Sequence, residues 1–112
     1  MTYKEGPKIP LGEVNKKVVA QYRKGLMLLI ENQERRDLKS QVRDGFDRLE
    51  EYYKQELSKR GLLDTYDKNY TLWTMIDSAR AYIELTLPGQ PVSKEYLEHM
   101  VEKVDNLFKD QE

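Results

Sequence analysis

Apolar residues recur along this chain at intervals of three and four positions, a spacing that places them on one face of a helix. The first two stretches contain Val14, Val18, Tyr22, Gly25, Leu26 and Leu29, and then Leu38, Val42, Phe46, Leu49, Tyr53 and Leu57. The next two contain Leu72, Met75, Ile76, Ala79, Tyr82, Ile83 and Leu87, and then Leu97, Met100, Val101, Val104, Leu107 and Phe108. Four amphipathic helices with short connections are typical of an all-α fold. We therefore expect a small four-helix bundle of roughly up-and-down form.

Glycine and proline indicate the outer limits of this bundle. They interrupt residues 1–12 at four positions, so this segment is predicted to be an extended N-terminal tail, and residues 13–112 a single helical domain. Gly61 follows two basic residues and is suited to a left-handed cap at the end of the second helix. Residues 61–69 are then predicted to form a loop.

The boundary between the third and fourth helices carries the clearest local signals. Pro88 and Gly89 predict a turn that ends the third helix. Ser93 is a favourable N-cap for the fourth helix, and Val92 before it is placed to pack against Leu97 one turn later.

The polar residues 31–37 leave two interpretations of the first half open. They contain no Gly or Pro, so propensity permits one rod from residue 13 to 60, about 70 Å long. At 100° per residue, however, the two apolar faces would point about 150° apart on that rod. A turn with Asp37 as the next N-cap lets both faces enter one core. A continuous helix would instead predict a dimer, because a second subunit must cover the other face.

The charge is divided unevenly along the chain, although the formal net charge is only −1. Residues 1–60 carry 14 Lys and Arg against 10 Asp and Glu, whereas residues 61–112 carry 5 against 10. One interpretation is that the two parts attract each other in the folded protein, for instance with the acidic face of the fourth helix against a basic flank of the second. The other is a basic surface for an acidic partner.

Catalytic and metal-binding patterns are missing from the sequence. The chain has no cysteine and one histidine, His99, which lies off the apolar stripe and has no Glu three positions before it. No phosphate-binding loop is present, and the carboxylates of the second helix have basic residues at helical spacing, as on a solvated face. We predict a noncatalytic protein without a metal or cofactor. The absence of cysteines and of an apolar stretch of about 18 residues favours a cytoplasmic protein.

Aromatic and apolar residues outside the predicted core suggest a protein contact surface. Exposed Tyr and Trp often anchor protein interfaces, and four of them cluster around the loop between the second and third helices. Met27 lies on the far side of the first helix beside basic residues, and Leu85 lies off the stripe of the third. The predicted contact residues are Met27, Tyr52, Tyr66, Tyr70, Trp73 and Leu85. The alternative is that the loop cluster forms a small satellite core.

Nucleic-acid binding is the competing interpretation. A basic row on the second helix could neutralise phosphates, and it consists of Arg36, Lys39, Arg43 and Lys54. Glu50 on the same flank and a pI of about 5.9 weigh against it. We therefore expect a noncatalytic interaction module, a small accessory, regulatory or assembly protein that binds a protein partner or a second copy of itself.

Overall fold

The structure is a computed structural model that describes residues 9–32, 35–65, 67–87 and 89–109. These residues form four helices, α1 (Leu11–Glu31), α2 (Arg36–Lys59), α3 (Lys68–Thr86) and α4 (Lys94–Leu107). Helix α2 runs antiparallel to both α1 and α3, since Tyr53 near the end of α2 bonds to Asn15 near the start of α1, and Lys39 near the start of α2 bonds to Thr86 at the end of α3. The predicted all-α four-helix bundle is confirmed.

The core forms where the predicted apolar stripes of the four helices meet. Most stripe residues are buried, and others, such as Leu38 and Leu107, are partly buried against the same cluster. The largest fully buried side chains are Tyr22, Tyr53, Leu26, Leu29, Leu57, Leu72, Ile76, Ile83 and Leu97. A single apolar core thus joins all four helices.

The first half of the chain forms two separate helices rather than one rod. Helix α1 ends at Glu31 and α2 begins at Arg36, so both apolar faces reach one core, as the phase argument favoured. The prediction that Asp37 is the N-cap of α2 is wrong, because this residue lies within the first turn of the helix. Its carboxylate accepts two hydrogen bonds from Arg35, at 3.0 and 2.7 Å. Arg35 occupies the N-cap position, without a capping side-chain bond.

Two other predicted boundaries shift by a few residues. Helix α1 begins at Leu11, so the last two residues of the predicted tail are helical, and residues 1–8 lie outside the described residues. Helix α3 begins at Lys68, inside the predicted loop, because the Asp67 carboxylate accepts the main-chain N–H groups of Asn69 and Tyr70. An aspartate before a helical segment is a favourable N-cap, and this signal was present in the sequence.

The other predicted caps are confirmed. Gly61 has φ 68°, its N–H donates to Ser58, and the N–H of Leu62 donates to Leu57, which together close the end of α2. Ser93 Oγ accepts the N–H of Tyr96 at 3.2 Å and begins α4. The turn predicted before α4 involves Pro88 and Gly89. Gly89 has φ 135°, and Pro88 lies outside the described residues.

A buried polar network ties α1, α2 and α3 together at one end. The Tyr53 hydroxyl donates to Asn15 Oδ1 at 2.6 Å, and Asn15 Nδ2 donates to Asn69 Oδ1 at 2.9 Å. Burial raises the pKa of the Tyr53 phenol, with a further contribution from the negative charge of Asp67. A core tyrosine commonly keeps its hydroxyl in water, but this hydroxyl and that of Tyr22 bond inside the protein.

The acidic face of α4 does not meet α2. In the described part of the chain, α4 packs on α1 and α3 and makes no contact with α2. Among the described residues, one ion pair joins a cation of residues 1–60 to a carboxylate of residues 61–112. It lies between Arg23 and Asp105, at 3.0 Å. Most of the excess positive charge of residues 1–60 is therefore not neutralised by the acidic residues of the second half.

Candidate protein-docking groove

The predicted protein-contact residues are not gathered into one patch. Met27, Tyr52 and Trp73 are partly buried against the core, so the expectation that Met27 is exposed is wrong. Leu85, near the end of α3, is 76% exposed. Tyr66 lies outside the described residues.

The aromatic residues at the start of α3 form a satellite of the core. The rings of Tyr70 and Trp73 are 5.8 Å apart, and Trp73 packs on the core cluster. Its Nε1 is enclosed and has no hydrogen-bond acceptor among the described residues. A partly buried indole at this position contributes to stability, which favours the satellite-core interpretation over a free contact surface.

The predicted basic row on α2 is broken by burial of its central lysine. Lys39 is 3% exposed, and its ammonium donates to the main-chain carbonyls of Thr86 and Gln90 at 2.7 and 2.5 Å. It therefore ties α2 to the end of α3, and its assignment as a phosphate contact is wrong. Desolvation lowers its pKa, with a smaller contribution from the positive charge of Arg36.

The remaining members of the row are accessible to different degrees. Arg36 and Lys54 are exposed, and Arg43 is half-buried with its guanidinium on Asp44 at 2.9 Å. Glu50, on the same flank, binds Arg80 of α3 at 2.9 Å rather than a residue of the row. This flank consequently faces α3 for much of its length.

A groove follows the outer side of the α1–α2 pair, where neither α3 nor α4 lines it. It consists of two adjoining cavities of about 550 and 260 Å³. Both cavities are lined by Gln21 of α1 and by Gly45, Arg48 and Leu49 of α2, so they are continuous. We call this continuous depression the α1–α2 groove.

The groove runs along about three turns of α1 and α2, and its accessible lining is a mixture of apolar and polar surface. Its floor is formed by the outer edges of core residues of α2, which are Val42, Phe46 and Leu49, and by the half-exposed Leu28. On α1 its lining extends from Lys17 to Leu28, which corresponds to about 16 Å at 1.5 Å per residue. The lining on α2 extends over an equal number of residues, from Gln41 to Tyr52.

Two glycines determine the depth of the groove in different ways. A Cβ atom at Gly25 would lie 2.5 Å from Phe46 Cε1 and 3.2 Å from Val42 Cγ1, so this glycine allows α1 and α2 to pack closely. A Cβ atom at Gly45 would have no atom of the described residues within 4 Å. Gly45 therefore lies in the middle of a helix, at the junction of the two cavities, without a packing contact that requires glycine.

The rim of the groove is mainly basic. Its cations are Lys17, whose ammonium lies 5.0 Å from the centre of the Tyr52 ring, and Lys24 and Arg48, which make no ion pair with any described residue. Among the described residues, the one carboxylate on the rim is that of Asp44, which is bound by the guanidinium of the preceding residue, Arg43. The rim thus offers three cations to an occupant.

A smaller depression of about 300 Å³ lies between α3 and α4. Two of its hydroxyls already donate to helix carbonyls, that of Thr71 to Asp67 and that of Thr74 to Thr71. His99 lines it beside Lys103 and is exposed, with Nδ1 3.9 Å from a carboxylate of the same helix. At about 300 Å³ this depression is smaller than the larger cavity of the α1–α2 groove, and two of its hydroxyls are committed to helix carbonyls, so the groove is the stronger candidate.

Comparison of the chain with family models, with curated proteins and with solved structures finds no match. In residues 9–32, 35–65, 67–87 and 89–109, no three His, Asp or Glu side chains are grouped so that they could hold a metal ion. No helix of those residues is long and apolar enough to cross a membrane.

Of the groove residues, Tyr52 is the one that belongs to the predicted contact residues. The missed signal was Gly45, a glycine within an otherwise strongly helical stretch, where it lowers helix stability. On the facing helix, Lys17, Gln21, Lys24 and Leu28 recur at intervals of three and four and so share one side.

Proposed function

We propose that the protein is a noncatalytic interaction module that binds a helical segment of a protein partner in the α1–α2 groove. The observation that carries the proposal is Gly45. A glycine in a helix interior costs about 1 kcal/mol relative to alanine, and here no contact with a described residue accounts for it. Close approach of another chain is a physical reason for a missing side chain at this position.

The walls of the groove favour a helix over an extended segment. An extended peptide gains much of its affinity from main-chain hydrogen bonds to a sheet edge, but the main-chain groups of α1 and α2 are already paired within the helices. A helix satisfies its own main chain and needs only side-chain contacts with the groove. Its backbone can approach closely where Gly45 leaves space.

Binding to a partner can be tested with two leucine substitutions at helical glycines. Gly45→Leu fills the groove at its centre, whereas Gly12→Leu adds the same side chain at another helical position with no described atom within 4 Å. The tagged wild-type protein and both variants are used for affinity capture from a lysate of the native host, with and without nuclease. We expect a partner that survives nuclease and is lost with Gly45→Leu only.

Other outcomes of the capture would contradict the proposal. A partner retained equally by all three proteins would place the binding surface outside the groove. Loss of all captured material on addition of nuclease would instead support the nucleic-acid alternative, which retains Arg36, Arg43 and Lys54 from the predicted row. Affinity for nucleic acid would then fall steeply with added salt, because binding releases counterions.

A further inference from the structure

The charge of the α1–α2 groove indicates the chemistry of its occupant. We infer that the groove takes an acidic amphipathic helix of a different protein, with its apolar side on the floor and its carboxylates against Lys17, Lys24 and Arg48. This inference rests on the proposed function and specifies the partner class. Its basis is the three rim cations, of which Lys24 and Arg48 have no described ion-pair partner.

The distribution of charge in the fold supports an external acidic partner. The acidic second half of the chain does not neutralise this rim, because α4 packs on α1 and α3 and its one described ion pair to the basic half involves Arg23. Arg23 does not line the groove. Opposite charge on an incoming helix would fix its direction and raise its association rate.

A second copy of this chain is a poorer occupant. A two-fold dimer through the groove would place the same three cations of each copy opposite one another, and such like-charge contacts are unfavourable. The acidic face of α4 in a second copy would supply Glu95, Glu98 and Glu102. It lacks an apolar stripe for the floor, because Leu97 and Val101 are buried in its own core.

A helix selection tests the inference while the natural partner is still unidentified. A displayed library carries a fixed apolar stripe on a helical scaffold, with Glu, Gln or Lys at every flanking position, and is selected on the full-length wild-type protein. Enriched helices are then sorted by whether Gly45→Leu abolishes their binding. We expect the groove-dependent helices to be net acidic and to bind less tightly as salt is added.

Charge reversal of the rim provides the matched comparison. In the double variant Lys24→Glu and Arg48→Glu, we expect affinity for the acidic helices to fall roughly tenfold or more, and a second selection to yield basic helices. Lys54→Glu is the control, because Lys54 is an exposed lysine of α2 that does not line the groove. This control is expected to change the affinity by less than about twofold.

The outcomes separate failure of this inference from failure of the proposed function. Groove-dependent helices that are neutral or basic would overturn the acidic occupant and leave helix docking intact. If no enriched helix depends on Gly45, both would be overturned. A wild-type dimer in sedimentation that Gly45→Leu dissociates would show that the occupant is a second copy, and would also overturn the inference.

Discussion

Alanine substitutions at Gly25 and Gly45 should change stability in opposite directions. Both residues lie in helix interiors, so each substitution gains about 1 kcal/mol of helix propensity. At Gly45 nothing opposes this gain, because the new Cβ meets no atom within 4 Å. We expect Gly45→Ala to stabilise the protein by about 0.5 to 1 kcal/mol.

At Gly25 the new Cβ meets the ring of Phe46. The distances to Phe46 Cε1 and Cζ would be 2.5 and 2.8 Å, so the ring or the helices must move. Phe46 is 3% exposed and its ring centre lies 5.3 Å from that of Tyr22, which limits where it can go. Overpacking of this kind costs about 1 to 3 kcal/mol. After the propensity gain is subtracted, we expect a net destabilisation of about 1 kcal/mol.

Urea unfolding followed by circular dichroism measures both effects. The midpoint should fall for Gly25→Ala and rise for Gly45→Ala at an unchanged slope, with the two variants about 2 kcal/mol apart. Adding Phe46→Leu to each variant provides a double-mutant cycle, with coupling expected for Gly25 and weak coupling for Gly45. Equal stability of the two alanine variants would refute the close α1–α2 contact at Gly25.

Three further substitutions test the buried and paired polar groups. Lys39→Met should lower the free energy of unfolding by about 2 kcal/mol, because two main-chain carbonyls lose a charged donor. The control Lys54→Met, at an exposed lysine, should change it by less than about 0.5 kcal/mol. Equal effects of the two substitutions in urea unfolding would contradict the buried role of Lys39. Tyr53→Phe should cost about 1 to 2 kcal/mol, because Asn15 Oδ1 loses its donor, and an unchanged midpoint would show that this hydrogen bond contributes nothing. A hydrogen bond from the guanidinium of Arg60 lowers the pKa of Glu56 below its usual 4.5. The ionised Glu56 therefore stabilises the folded protein fully above pH 4.5, and this contribution is lost as the pH falls through the lower pKa of the folded state. Unfolding measured from neutral pH to about pH 3 should therefore show a smaller loss for Glu56→Gln than for the wild type, and parallel curves would contradict the shift.

The sequence by itself determined the elements and the core of this protein. Periodicity depends only on the spacing of side chains around a helix axis, so the stripes of all four helices were readable before any contact was known. The caps at Gly61 and Ser93 were readable for a similar reason, because they depend on residues within one turn of each other. The cap at Asp67 has the same kind of local signal, and it places the start of α3 inside the predicted loop.

Tertiary packing decided where the surface functions can lie. Lys39 reads as a surface cation along the sequence, yet it is buried because carbonyls 47 and 51 positions away accept its protons. The α1–α2 groove depends on Gly25 and Gly45, which look alike in sequence and differ only in whether Phe46 occupies the space beside them. Local pattern specifies which face of a helix is apolar. Which neighbour covers that face, and which groove is left open, depends on contacts between residues far apart in the chain.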